Sequence, residues 1–244
     1  MCGRYSVTVP AATIQEIFAV DILPDSLPRY NVAPTQPVIA VVEDQGIRKA
    51  QVFRWGLVPS WSKEGRPNAS MINARAETIA EKPAYRAAFK RRRCLIPADG
   101  FYEWKAIGKQ KVPHHIGLAG QALFAMAGIW EVWRDRADPA AAPVFTAAIV
   151  TTGPNERMQG IHDRMPVILA PEDWATWLEP TAEPAALLEL LRPFAAQKMA
   201  VRPVSRAVGN ARNEGPQCLD DASEEDIALL RRVHGQEIAS TGDS

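Results

Sequence analysis

Several signatures that would settle a function at once are missing from this chain. There is no glycine-rich phosphate loop, no dinucleotide fingerprint, no HExxH pair and no GxSxG elbow, which disfavours nucleotide, zinc-peptidase and serine-hydrolase readings. Cysteine is scarce. Cys2, Cys94 and Cys218 form neither an even disulfide framework nor a CxxC metal pattern, so reduced thiols in a cytoplasmic protein are expected, with no metal and no cofactor. No stretch approaches the ~18 uninterrupted apolar residues of a membrane span, and the start lacks an apolar signal core. Net charge is zero, 28 basic residues against 28 acidic, so bulk charge does not announce a nucleic-acid partner.

What is present is an ordinary globular composition, 47% apolar and 23% charged over 244 residues, long enough for a sizeable core. Residues 11–20 carry Ile14, Ile17 and Phe18 at helical spacing. Asp25 to Pro28 is turn-like, and Tyr30 to Thr35 reads as a polar loop. Val38–Val42, a turn over Glu43–Gly46 and Ile47–Trp55 form a hairpin pattern. An irregular segment follows around Pro59-Ser60-Trp61-Ser62. A helix is expected over 81–91, then strands over Arg93–Pro97, Gly100–Ala106, Val112–Leu118, 122–133, 143–151, Met165–Leu169 and Met199–Val204. Between the last two lie helical segments at 171–178 and 183–192. Ser223 with Asp226 three residues on reads as a capping box for a last helix to about Val233, before a polar tail that should be disordered. Twenty prolines, many short strands and no regular βαβ alternation indicate an α+β fold. We expect a single domain with a mainly antiparallel sheet or barrel-like core and peripheral helices over 1–213, followed by an acidic carboxyl-terminal helix and tail over 214–244.

Charge is uneven along the chain. Arg75, Lys82, Arg86, Lys90, Arg91, Arg92 and Arg93 are opposed only by Glu77 and Glu81, a run that either binds phosphates or is simply a solvated face. Four polar segments sit between apolar strands. Asn73 and Arg75 lie in Ile-Asn-Ala-Arg-Ala-Glu-Thr, where an amide can donate to an oxygen and a guanidinium can clamp a phosphate; the plainer reading is a turn with an ion pair. Glu103 lies in Ala-Asp-Gly-Phe-Tyr-Glu-Trp, an aromatic context with Trp104 that would raise a carboxyl pKa; otherwise it is a strand residue facing water. His162 lies in Ile-His-Asp-Arg-Met-Pro, a proton shuttle or a structural histidine, with Asp163 or Arg164 able to orient neighbours. Ser205 and Arg206 lie in Pro-Val-Ser-Arg-Ala-Val-Gly-Asn and suit a phosphate contact. His114 and His115 read as structural, on opposite faces of a strand. Trp61 is either core or an exposed stacking surface, and composition favours core.

Met-Cys-Gly-Arg-Tyr places Cys2 where loss of the initiator methionine exposes an α-amine next to a thiol. That pair can attack an acyl carbon or condense with an aldehyde and close to a thiazolidine. Taken with Tyr-Asn-Val-Ala-Pro-Thr at 30–35 and the four segments above, this makes six motifs in order, spanning Cys2 to about Asn213. The chain thereby resembles the SOS-response-associated peptidase family, the abasic-site-processing proteins. The resemblance implies covalent capture of abasic sites in single-stranded DNA by the mature Cys2 through a thiazolidine, after self-cleavage of the preceding residue, with possible strand cleavage. It implies that Asn73 positions the opened sugar, that Glu103 serves as acid/base and that His162 acts in ring opening and reversal. Arg4, Arg75, Arg164 and Thr151 become backbone contacts, with Trp61 and Trp104 as aromatic surfaces. One departure is visible: some members carry paired aromatics where this chain has a single Trp61, which weakens stacking on flanking bases. The rival readings are a general cysteine peptidase acting in trans through Cys2 and a non-covalent single-strand binder. No membrane contact is implied, a monomer is the default, and no replication-fork partner can be named.

Overall fold

Two β-branched and alanine-rich runs at the middle of the chain, too short and too branched for buried helices, become the strands on which everything else hangs. The structure is a computed structural model that describes residues 2–21 and 27–241, with side chains described through 232. In chain order the elements are β1 (Tyr5–Val7), α1 (Ala11–Phe18), β2 (Arg29–Val32), β3 (Pro37–Asp44), β4 (Ile47–Trp55), β5 (Asn73–Arg75), α2 (Arg86–Arg91) and β6 (Arg93–Ala98). There follow β7 (Gly100–Ile107), β8 (Gln110–Leu118), β9 (Phe124–Trp133), β10 (Val144–Thr152), β11 (Met165–Pro166) and β12 (Ile168–Leu169). The chain ends with α3 (Trp174–Leu178), α4 (Pro184–Glu189), β13 (Met199–Pro203) and α5 (Glu224–Thr241).

The pairings β10–β4, β4–β3, β3–β6, β6–β9 and β9–β10 close a five-stranded ring, with β5, β11 and β12 attached to its rim. A second, antiparallel sheet runs β13–β8–β7–β1–β2. The barrel-like α+β expectation holds, and two parallel pairings, β10 with β4 and with β5, enter an otherwise antiparallel scaffold. Between the sheets lies a core that includes Tyr5, Trp55, Leu95, Phe101, Met126 and Ile149, all at most 1% exposed.

Local chemistry explains where the strands turn. The β3–β4 hairpin closes on Gln45 (φ 52°) and Gly46 (φ 78°), the pair of positive angles that a two-residue type I′ turn requires. Gly100 lets His115 lie against β7, since a Cβ there would sit 2.0 Å from the His115 Nε2.

Several local expectations need correction. Tyr30 to Val32 is strand rather than loop, because the Tyr30 and Asn31 amides pair with the Glu214 carboxylate while Val32 joins the ladder of β1. The turn expected at Asp25–Pro28 falls partly outside the described residues. The helix expected over 81–91 begins only at Arg86, preceded by turns from Thr78 to Tyr85. Met165–Leu169 splits at Val167 into two short strands that pair with different partners, β10 and β9. The last helix starts at its capping box, with the Asp226 amide 3.2 Å from the Ser223 Oγ, but runs to Thr241 instead of stopping near Val233; the tail beyond 241 lies outside the described residues. Nor is the basic run one solvated face. Arg93 is 4% exposed, and its guanidinium donates to the carbonyls of Phe89, Trp177 and Glu179, tying α2 and α3 to β6. Past residue 213, Glu214 pairs with Arg29, and Cys218 clusters with Tyr102, Val204 and Val208.

Candidate active site

Four residues from separate parts of the chain meet where the second sheet abuts the rim of the ring. Cys2 precedes β1 and is fully buried. Its carbonyl accepts a 3.0 Å hydrogen bond from Asn73 Nδ2. Asn73 starts β5 and lies opposite Ile149 of β10, and its own carbonyl accepts from the Tyr85 hydroxyl at 3.1 Å. The Asn73 Oδ1 is buried with no hydrogen-bond partner among the described residues, an open acceptor of a kind that folded proteins seldom leave unfilled.

Glu103 is carried by β7, which neighbours β1 in the register Tyr5↔Phe101. Its side chain is 4% exposed, and its Oε2 lies 3.8 Å from Nε2 of His162. Burial raises the Glu103 pKa from 4.5 to about 8, so the carboxyl holds its proton at neutral pH. Burial, with the nearby Glu103 carboxylate second, also pushes the Cys2 thiol up.

His162 follows the turns at 155–161, where Asn155 Oδ1 accepts from the amides of Arg157 and Met158. Its pKa is lowered, first by burial, which keeps the ring neutral near pH 7. Nδ1 accepts from the Arg164 amide at 3.1 Å, so the neutral ring carries its proton on Nε2, facing Glu103. The Asp163 carboxylate, 2.8 Å from the same Nδ1 and largely exposed, is placed to take a proton from Nδ1 once the ring is charged. The site can therefore hold one proton on Glu103, pass another at His162, and present a thiol beside both.

The expected contact residues divide into two groups. Thr151 and Arg75 are register partners on β10 and β5, Thr151 buried and Arg75 exposed. The Arg164 guanidinium bonds the Thr151 carbonyl at 2.7 Å and forms a bidentate pair with Glu77 at 2.6 and 3.0 Å. That pair holds the Glu77 carboxyl below its usual range. Trp61 is 60% exposed, against the compositional expectation of a core residue, because its irregular segment is pinned elsewhere: Trp133 Nε1 donates to the Ser62 carbonyl and the Trp133 ring fills the space over Gly65.

The others are engaged within the protein. Arg4 donates to Asn31 Oδ1 at 2.9 Å and to the Val208 carbonyl at 2.6 Å. Ser205 caps its own turn by accepting from the Ala207 amide, and Arg206 forks onto the Asp226 carboxylate. Trp104 alternates with Glu103 along β7 and packs with Tyr102 on the opposite face.

Two features escaped the sequence reading. The Asn31 amide donates to the carbonyls of Val208, Asn210 and Asn213 and so latches the 203–213 segment beside Arg4; its position inside the Tyr-Asn-Val-Ala-Pro-Thr motif was the available signal. Asp99 accepts from the hydroxyls of Ser6 (2.5 Å) and Thr8 (2.6 Å) and from the Thr8 amide, with His115 Nε2 3.0 Å from the Ser6 Oγ, so β1 is clamped to β7 and β8. Among the described residues no group of three or more His, Cys, Asp and Glu side chains is placed to hold a metal, and no helix is long and apolar enough to cross a membrane.

Comparison with known proteins matches the chain to a family. Residues 1–211 match the model described as "SOS response associated peptidase (SRAP)". The chain is 42% identical over 225 residues to the abasic site processing protein YoqW of Bacillus subtilis, covering 90% of this chain and 99% of that one. It is 33% identical over 229 residues to the abasic site processing protein YedK of Escherichia coli, again covering 90% and 99%. Among solved structures, a protein from Bacteroides thetaiotaomicron superposes with a TM-score of 0.79 at 27% identity, covering 91% of this chain and all of that one. The chain belongs to the SOS response-associated peptidase family.

Proposed function

We propose that this protein processes abasic sites in DNA, capturing the lesion covalently through Cys2 once Met1 has been removed by self-cleavage. The observation that carries the reading is the meeting of a buried second-residue thiol, an amide, a proton-bearing carboxyl and a neutral imidazole from four separate segments. The names of the relatives supply the substrate class.

The chemistry runs as follows. The freed Cys2 α-amine adds to the aldehyde carbon of the ring-opened sugar, giving a carbinolamine. Glu103 donates its proton to the departing hydroxyl, water leaves, and a protonated imine forms. The Cys2 sulfur then adds to the imine carbon, its proton returning to the Glu103 carboxylate, and a thiazolidine closes with net loss of one water. His162, with its Nε2 proton toward Glu103, serves ring opening at the sugar oxygen. Asn73, fixed through the Cys2 carbonyl, offers its open Oδ1 to a sugar hydroxyl. Arg75 and Trp61 are the exposed phosphate and base contacts, with Arg164 and Thr151 as further backbone contacts beside Arg75. Arg4 holds Asn31 and the Val208 carbonyl next to the start of the chain. In this reading the partner is single-stranded DNA, the protein acts as a monomer in the DNA-damage response, and strand cleavage at the imine stage is a side path.

The test is intact mass after mixing with an abasic oligonucleotide. The expected product is protein lacking Met1, plus DNA, minus one water, stable to denaturant and absent for Cys2→Ala. A Cys2→Ala protein that still forms this adduct refutes the assignment.

A further inference from the structure

A second cleft lies beside the Cys2 site, over the sheet face that carries Glu103, and nothing in the reaction above uses it. Side chains alternate along a strand, so Lys105 shares the face of Glu103. His114 of β8 lies directly opposite Glu103, and Pro203 of β13 directly opposite His114. Over this face fold the 156–161 turns, ending at Ile161 beside His162, and the first half of α5. Together they enclose an open groove of about 510 Å³ lined by Lys105, His114, Arg157, Ile161, Leu230 and Arg231. Three fixed cations stand against one carboxylate, Glu156. Arg157 and Arg231 are exposed at its mouth, and Leu230 and Ile161 supply half-buried apolar surface.

The α5 wall is anchored. Asp226 is 1% exposed and takes a forked hydrogen bond from Arg206, while Ser223 caps the helix start. Arg206 is thereby committed to holding α5 instead of a phosphate, and α5 in turn brings Arg231 to the groove. This wall lies beyond the 1–211 segment matched by the family model.

We propose that this cleft is a phosphodiester-binding exit groove, which carries the backbone of the DNA strand on one side of the captured site. The proposal rests on the functional reading above. Its occupant follows from three facts: the groove is open at its mouth as a polymer requires, its charge is complementary to phosphates, and its inner end borders the site through His114, opposite Glu103, and Ile161, next to His162. Ile161 and Leu230 suit the sugar and base edges, with little sequence preference.

The experiment measures binding of undamaged oligonucleotides to the full-length protein over a range of salt, with strands extended on the 5′ or the 3′ side of a common core. The variant is Arg157→Glu/Arg231→Glu, with Arg157→Gln/Arg231→Gln as its graded partner and thermal unfolding as the check on folding. Each single-strand phosphate contact contributes about 0.7 to the log–log salt slope, so loss of two should flatten it by about 1–1.5 for strands extended on one side only. The same strands should bind roughly tenfold more weakly at low salt, the Gln pair should fall between, and the core strand should be unaffected. An unchanged slope with every strand overturns the proposal, as does inorganic phosphate competing as well as the oligonucleotide per phosphate, which marks a small-anion site. Adduct formation on a short abasic strand is followed in parallel. Wild-type protein that forms no adduct removes the functional reading, whereas normal adduct with unchanged slopes removes only the groove.

Discussion

Replacing Glu103 with Gln should make the protein more stable and less active, and the gain should depend on pH in a defined way. Burial lifts the carboxyl from 4.5 to about 8 in the folded chain. Between these values the native state holds a proton that the unfolded state has released. Stability is therefore lost as pH rises through this window, at about 1.4 kcal/mol per pH unit. Relative to a side chain that cannot ionise, the wild-type residue costs about 1 kcal/mol at pH 5, about 3 at pH 7 and about 5 at pH 9. The stability gap between Glu103→Gln and wild type should thus widen by about 4 kcal/mol from pH 5 to pH 9. For a chain of this size that corresponds to about 8–16 °C in unfolding temperature. Scanning calorimetry of both proteins at five pH values is the assay. Two unfolding curves that keep a constant separation from pH 5 to pH 9 would refute the claim that burial holds this proton. Adduct formation supplies the other half. The Gln variant should be slower by about 10²–10⁴-fold, as loss of a positioned acid implies, and the wild-type rate should fall as pH rises through about 8.

Three further perturbations test the scaffold. Gly100→Ala drives a methyl group into the His115 ring and should cost about 1–3 kcal/mol by overpacking; chemical denaturation should show the loss substantially relieved when His115→Ala is added. Asp99→Ala strips the shared acceptor from Ser6 and Thr8 and should destabilise by about 2–4 kcal/mol, as loss of bonds to a charged group predicts. Because that clamp sets β1 against β7, adduct rates should fall even below the unfolding transition, and Asp99→Asn should restore part of them. Asp226→Ala should loosen α5 alone, read as faster amide hydrogen exchange over 224–232 with β9 and β10 protected as before.

Much of this protein was written locally. The β3–β4 hairpin needs only two apolar runs and a Gln-Gly pair able to take positive φ. The β9 and β10 strands are decided by their apolar runs, and the α5 start by Ser223 and Asp226 three apart. Cys2, Asn73, Glu103 and His162 stood out because each sits in a polar or aromatic segment between strands, and their order along the chain carried the family resemblance. Pairing was not legible. Nothing short-range says that Ile149 lies beside Asn73 in parallel, or that Tyr5 lies beside Phe101, and those two contacts deliver the amide and the carboxyl to the thiol. Nor does local sequence say how a cation is spent. Arg93, Arg4 and Arg206 resemble surface charges in the sequence, yet buried carbonyls, Asn31 and Asp226 claim them, because a guanidinium near unfilled acceptors is worth more there than in water. Trp61 is exposed for the converse reason: Trp133, bonded to the Ser62 carbonyl and packed over Gly65, pins the segment and leaves the Trp61 ring exposed. The sequence by itself determined which residues were reactive and where the strands ran. Only tertiary structure decided which of them met, since burial and charge partners belong to the neighbours that folding brings together.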